Sequence, residues 1–167
     1  MFQQPLLDRA TALLAGLRAQ KLMLTTAESC TGGLIAGLFT EIAGASDVVD
    51  RGFVTYSNEA KAELLGVPMA LITSRGAVSR EVALAMAEGA LGKLKHGNPG
   101  LAVSVTGVAG PGGGTVTKPV GLVHLAVART GRATLHNECR FDDIGRSAVR
   151  LATVAAALDL VGDALAS

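Results

Sequence analysis

Ser29, Lys61 and the glycine-rich segment from Thr106 to Gly114 are the residues whose types and settings could do chemistry. Ser29 lies in Thr25-Thr-Ala-Glu-Ser-Cys-Thr-Gly-Gly33, where an apolar strand pattern stops and a helical pattern begins. A serine at such a junction can cap the helix, or present its hydroxyl beside the positive end of the helix dipole as a nucleophile. Gly32 and Gly33, lacking Cβ atoms, allow a substrate or a backbone to come close. Lys61 closes Arg51-Gly-Phe-Val-Thr-Tyr-Ser-Asn-Glu-Ala-Lys61, a strand end passing into a helix start. In the first turn the dipole would lower its pKa, making it a general base for a serine without help from histidine. Taken alone, a lysine on a short helix reads as solvated surface. Thr106-Gly-Val-Ala-Gly-Pro-Gly-Gly-Gly114 follows a buried strand pattern. Its successive N–H groups can form a nest for an anion such as phosphate, or the segment can be a flexible connection. It is neither a Walker loop nor a dinucleotide fingerprint.

The elements that must position these residues follow from periodicity. Apolar residues at three- and four-residue steps predict a helix over 5–20, with Pro5 in its first turn. A short apolar run over 21–26 is followed by a largely buried helix over 31–42, ended by Gly44. A strand over 48–57 leads to a helix over 58–65, with Asn58 as its cap, Gly66 as its stop and Pro68 just after. Ser79, Glu81 and Val82 open a helix running to about Lys95, whose methionines fill core. A break at His96–Gly100 precedes a buried strand over 101–105. Strands over 120–128 and 132–141 form a hairpin, and a last helix covers 144–164. Helices interleaved with short apolar runs predict an α/β fold, a three-layer α/β/α sandwich around a mostly parallel mixed sheet with at least one antiparallel strand.

Composition narrows the function further. The 167 residues suit one domain with a full core. Hydrophobic residues make up 49% and mean hydropathy is +0.42, yet charges punctuate every candidate helix, so no membrane span is expected. The N-terminus carries no secretory pattern, which predicts a cytoplasmic protein with reduced thiols. A net charge of +1, one tyrosine and four phenylalanines give no footprint for nucleic acid. Cys30 and Cys139 form no CxxC pair, and His96, His124 and His136 have no metal-ligand spacing, each resembling an ordinary strand or surface residue. No metal is expected.

Ala27-Glu-Ser-Cys-Thr-Gly-Gly33, the 51–61 segment, Gly76-Ala-Val-Ser79, Ser104-Val-Thr-Gly-Val-Ala-Gly-Pro-Gly-Gly113 and Lys118-Pro-Val-Gly121 together resemble the C-terminal domain of the competence/damage-inducible CinA proteins, whose stand-alone members are nicotinamide-nucleotide amidases. The resemblance implies hydrolysis of nicotinamide mononucleotide to nicotinate mononucleotide and ammonia, with no cofactor. It places Ser29 as nucleophile, Lys61 as its base and Tyr56, on the motif's tyrosine, as a third catalytic residue, with Lys61 or Tyr56 returning the proton that the leaving ammonia needs. Cys30, Thr31, Gly32 and Gly33 would lie around the reacting carbonyl. Thr106, Gly107, Gly110, Gly112 and Gly113 would contact substrate, and Arg146 would match the arginine of a Phe-x-Gly-Asp-Arg segment. Two departures stand out: Phe141-Asp-Asp-Ile-Gly-Arg146 is one residue longer and lacks Gly-Asp, and Arg80 replaces an acid after Gly-Ala-Val-Ser. The N-terminal partner domain of larger members has no counterpart here, and the family's pairing suggests a homodimer. Another small amide as substrate, or an inactive ligand-binding domain, are the alternative readings.

Overall fold

The apolar run after Lys21 becomes strand β1 (Met23–Glu28), buried along nearly its whole length because neighbours cover both of its edges and both faces. The computed structural model describes residues 2–94 and 98–167, so the expected helix end at Lys95 and the reading of His96 fall outside the described residues. The other strands are β2 (Val49–Val54), β3 (Gly100–Gly107), β4 (Leu122–Arg129) and β5 (Leu135–Arg140), in the spatial order β2-β1-β3-β4-β5. β1 pairs in parallel with β2 and β3, while β4 runs antiparallel to both β3 and β5. One reversed strand in a mostly parallel sheet agrees with the expectation from the hairpin.

The helices are α1 (Gln4–Ala19), α2 (Leu34–Thr40), α3 (Asn58–Leu65), α4 (Met69–Arg75), α5 (Arg80–Leu91) and α6 (Arg146–Ala166). Among the described residues, no helix is long and apolar enough to cross a membrane. Strand alternation sorts the core into two layers. Leu101, Val103 and Val105 of β3, with Val123, Leu125 and Val127 of β4, pack under α1, α2 and α6. The opposite face offers small residues, Ala27, Ala102, Ala126 and Ala128, so α5 can lie close with Ala83, Ala87 and Ala90. Close approach continues between helices: a Cβ on Gly89 of α5 would collide with the Leu65 carbonyl at the end of α3.

Several boundaries differ from the periodicity. α2 starts at Leu34 because Gly33 takes the left-handed conformation (φ 95°) and breaks the expected earlier start. α3 has the predicted limits and ends on left-handed Gly66 (φ 72°), but Ser57 rather than Asn58 caps it, accepting from Ala60 N at 3.0 Å. α4 was not anticipated, since its seven residues sit between Pro68 and Gly76 with only Ile72 buried.

Topology gathers one edge of the sheet. The chain leaves β1 toward the α2 face and β2 toward the α3 face, so the carboxyl ends of these neighbouring strands open a crevice between them. β3 ends, β4 begins and β5 delivers α6 at that same edge.

Candidate active site

Alternation along β1 puts Ala27 toward α5 and Leu24, Thr26 and Glu28 toward α2, so the next residue, Ser29, faces the α3 side. Its N–H extends the parallel ladder to Val105 O at 3.0 Å, and its carbonyl accepts from Gly32 N at 3.0 Å, closing a turn. Ser29 therefore does not cap α2. Glu28 does: its fully buried carboxylate accepts from Gly33 N (3.0 Å), Ile35 N (3.0 Å) and Ala36 N (2.9 Å), and from the hydroxyls of Thr31 (2.7 Å) and Thr26 (3.1 Å). The first-turn N–H groups thus meet a carboxylate inside the fold, and the dipole is not aimed at Ser29. Sequence reasoning missed Glu28, which lies in β1 and reaches the start of α2 only because the turn after Ser29 folds back over its carboxylate.

Lys61 is buried, with 1% of its surface exposed. Its Nζ lies 3.2 Å from Ser29 Oγ and 2.8 Å from Thr55 O, with Tyr56 O and Ser57 O at 3.4 Å. Burial is the main cause that pushes its pKa below the ordinary lysine value, a larger effect than any named charge. That replaces the helix dipole as the reason. A neutral amine has two N–H donors and one lone pair. Two carbonyls can occupy the donors, which leaves the lone pair to accept from the Ser29 hydroxyl.

Ser29 and Lys61 open into a cleft of 310 Å³ whose lining also includes Tyr56, Thr106, Gly110 and Arg146. Cys30, Gly107, Gly112 and Gly113 also reach it. Thr31, Gly32 and Gly33 do not line this cleft; Thr31 and Gly33 bond to Glu28, and Gly32 closes the turn. Thr106 Oγ1 donates to Ala77 O at 2.8 Å, tying the end of β3 to the segment before α5. Asn58, Ala77 and Val78 also line the cleft and were not anticipated there.

Despite its altered spacing, Arg146 sits at the cleft mouth. Its Nη1 donates to Gly110 O and its Nη2 to Tyr56 Oη, both at 2.8 Å. One helical turn on, Arg150 donates from Nε to Cys30 O at 3.1 Å and from Nη2 to Thr31 O at 2.8 Å. Sequence reasoning missed Arg150.

Both cysteines are free thiols. Burial pushes the Cys30 thiol up to about 11, which keeps it protonated beside the serine. His124 and His136 form a stacked cross-strand pair, ring centroids 5.3 Å apart and Nδ1 to Nε2 3.0 Å, rather than two independent residues. Burial lowers the pKa of each. Among the described residues, no three histidine, cysteine or acidic side chains are grouped to hold a metal ion.

The chain is similar to known proteins along most of its length. The profile of the CinA C-terminal domain matches residues 7–165. The sequence is 48% identical to the nicotinamide-nucleotide amidohydrolase PncC of Escherichia coli (strain K12) over 85% of this chain and 84% of that protein. It is 49% identical to a CinA-like protein of Syntrophus aciditrophicus over 93% of this chain but 36% of that one. The chain spans between 26% and 36% of the length of the first such curated relatives it matches. The crystal structure of competence/damage inducible protein CihA from Agrobacterium tumefaciens superposes with a TM-score of 0.94 at 52% identity, covering 100% of this chain and 99% of that one. A CinA superfamily protein from Klebsiella pneumoniae superposes with a TM-score of 0.88 at 33% identity, over 96% and 98% of the two chains.

Proposed function

This chain belongs to the CinA C-terminal domain family, and from that premise we propose that it hydrolyses the carboxamide of nicotinamide mononucleotide, giving nicotinate mononucleotide and ammonia. The observation that carries the reading is the 3.2 Å approach of Lys61 Nζ to Ser29 Oγ at the floor of an open cleft. The PncC relative, similar over most of both chains, supports the substrate.

In the proposed reaction neutral Lys61 accepts the Ser29 proton as Oγ bonds to the carboxamide carbon, forming a tetrahedral oxyanion. Of the N–H groups after Ser29, that of Cys30 borders the cleft and has no acceptor in another described residue, whereas Gly32 N–H is engaged by Ser29 O and Thr31 lies off the cleft, so Cys30 N–H is the donor available to that charge. Each such donor is typically worth about 3–4 kcal/mol. The C–N bond then breaks, and the Lys61 ammonium returns its proton to the departing nitrogen, which leaves as ammonia. Water adds to the Ser29 ester, passing one proton to Lys61. Collapse restores the Ser29 hydroxyl and releases the acid. Tyr56 Oη, held by Arg146, is placed to contact substrate at the mouth.

The glycine-rich loop and Arg146 provide the anion site for the phosphate. Gly110 and Gly113 adopt positive φ (81° and 82°), so the loop presents backbone where side chains would otherwise stand. The protein would act in the cytoplasm as a homodimer.

Ammonia release from nicotinamide mononucleotide, measured beside Ser29→Ala, tests the reading. Turnover by the parent and its loss in a folded S29A support it. Turnover that survives in S29A removes Ser29 as nucleophile, and turnover of other amides alone removes the substrate. Nicotinamide riboside should bind much more weakly than the mononucleotide if the loop holds phosphate; equal binding removes that assignment.

A further inference from the structure

The turn that carries Ser29 is held from two sides by opposite charges. Glu28 takes the Thr31 hydroxyl and Gly33 N–H, and Arg150 takes the carbonyls of Cys30 and Thr31. Arg150 is half-buried on α6, and among the described residues no carboxylate forms an ion pair with it. Its fork is instead committed to two neutral carbonyls, at 3.1 and 2.8 Å. Left-handed Gly32 (φ 59°) brings the turn against it, since a Cβ there would stand 3.5 Å from Arg150 Nη2. A planar trans peptide carries its C=O and N–H on opposite sides. Holding Cys30 O and Thr31 O therefore fixes the planes of the two peptides that follow Cys30, and with them the backbone of Cys30, whose own N–H is free beside the cleft.

We propose that Arg150 is a positioning residue for acyl transfer: its guanidinium sets the peptide planes of the turn after Ser29, so that the serine and the free Cys30 N–H beside it keep the geometry the oxyanion requires. The proposal rests on Ser29 being the nucleophile. It separates the roles of two arginines one helical turn apart. Arg146 joins Tyr56 to the glycine-rich loop and governs substrate capture, while Arg150 touches only the nucleophile turn and governs the chemical step.

The test is steady-state ammonia release from nicotinamide mononucleotide by the full chain, with the variants Arg150→Ala, Arg150→Lys and Ser29→Ala. R150A should lower kcat on the order of a hundred-fold, as for a misplaced oxyanion donor, with KM little changed. Millimolar guanidinium should restore part of that kcat in R150A and none in S29A. R150K keeps the stem and the charge but not the fork; it should fold with the parent melting temperature and still lose kcat, so the proposal stays testable if R150A fails to fold. Parent-like kcat in R150K or R150A, or a loss confined to KM, overturns the proposal. Loss in R150A that guanidinium does not restore also overturns it. Full turnover in S29A would instead overturn the serine reading, leaving a distinct signature.

Discussion

Lys61 Nζ lies 3.2 Å from Ser29 Oγ across 32 positions of chain, and the lysine side chain is buried without a carboxylate partner among the described residues. Such burial is unfavourable for an ammonium and favourable for a base.

The pH dependence of both stability and rate should carry that signature. Folding lowers the Lys61 pKa, so between its folded value and the ordinary lysine value the unfolded chain binds more protons, and stability rises with pH there. The penalty is complete below the folded value and gone above the unfolded one. Urea unfolding of the parent relative to Lys61→Met should therefore show a stability difference that increases with pH across that window and is flat outside it. The parent's kcat/KM should rise with pH through the folded value, and K61M should lose most turnover. A stability difference that falls with rising pH would show that folding does not favour the neutral amine.

Arg146 and Tyr56 should act on capture. Tyr56→Phe removes one exposed hydrogen bond, so its effect on stability should stay within about 1 kcal/mol. Arg146→Met also frees Gly110 O, and should raise KM for the mononucleotide more than Y56F does. The riboside, which lacks phosphate, should respond less to R146M; equal KM increases for both ligands would remove Arg146 from the anion site.

Glu28→Gln tests the cap of α2. The amide turns an N–H₂ toward donors that now meet carboxylate oxygens, so thermal or urea unfolding should show a loss of about 3 kcal/mol or more. A change below about 1 kcal/mol would mean that the α2 N-terminus is satisfied without the charge.

Gly89→Ala tests how α3 is held. The added methyl meets the Leu65 carbonyl, so either helix must move, at about 1–3 kcal/mol. Lys61 lies one turn before Leu65 on α3, so kcat should fall along with the melting temperature. A destabilised variant with unaltered kcat would mean that the strain is absorbed away from Lys61.

Much of this arrangement was legible in the chain. Residues 58–65 form a helix because Gly66 supplies its stop, and the 120–141 stretch forms a hairpin because two β-rich runs flank Thr130-Gly131. Alternating helices and short apolar runs carry the α/β class, and the segments around Ser29, Lys61 and Thr106 stand out by residue type and spacing alone. These are local properties: periodicity, turn chemistry and capping act over a few residues. What the tertiary structure decided is everything that depends on which distant groups meet. It buried Lys61 and so replaced the helix dipole by desolvation as the reason its pKa is lowered. It gave the α2 cap to Glu28, removed Thr31, Gly32 and Gly33 from the cleft wall, and brought Arg146 to Tyr56 in spite of the longer segment before α6. The physical reason is that a side chain's dielectric surroundings and hydrogen-bond partners are set by close packing between segments far apart in sequence, and the carboxyl edge of one sheet is where this chain's segments converge.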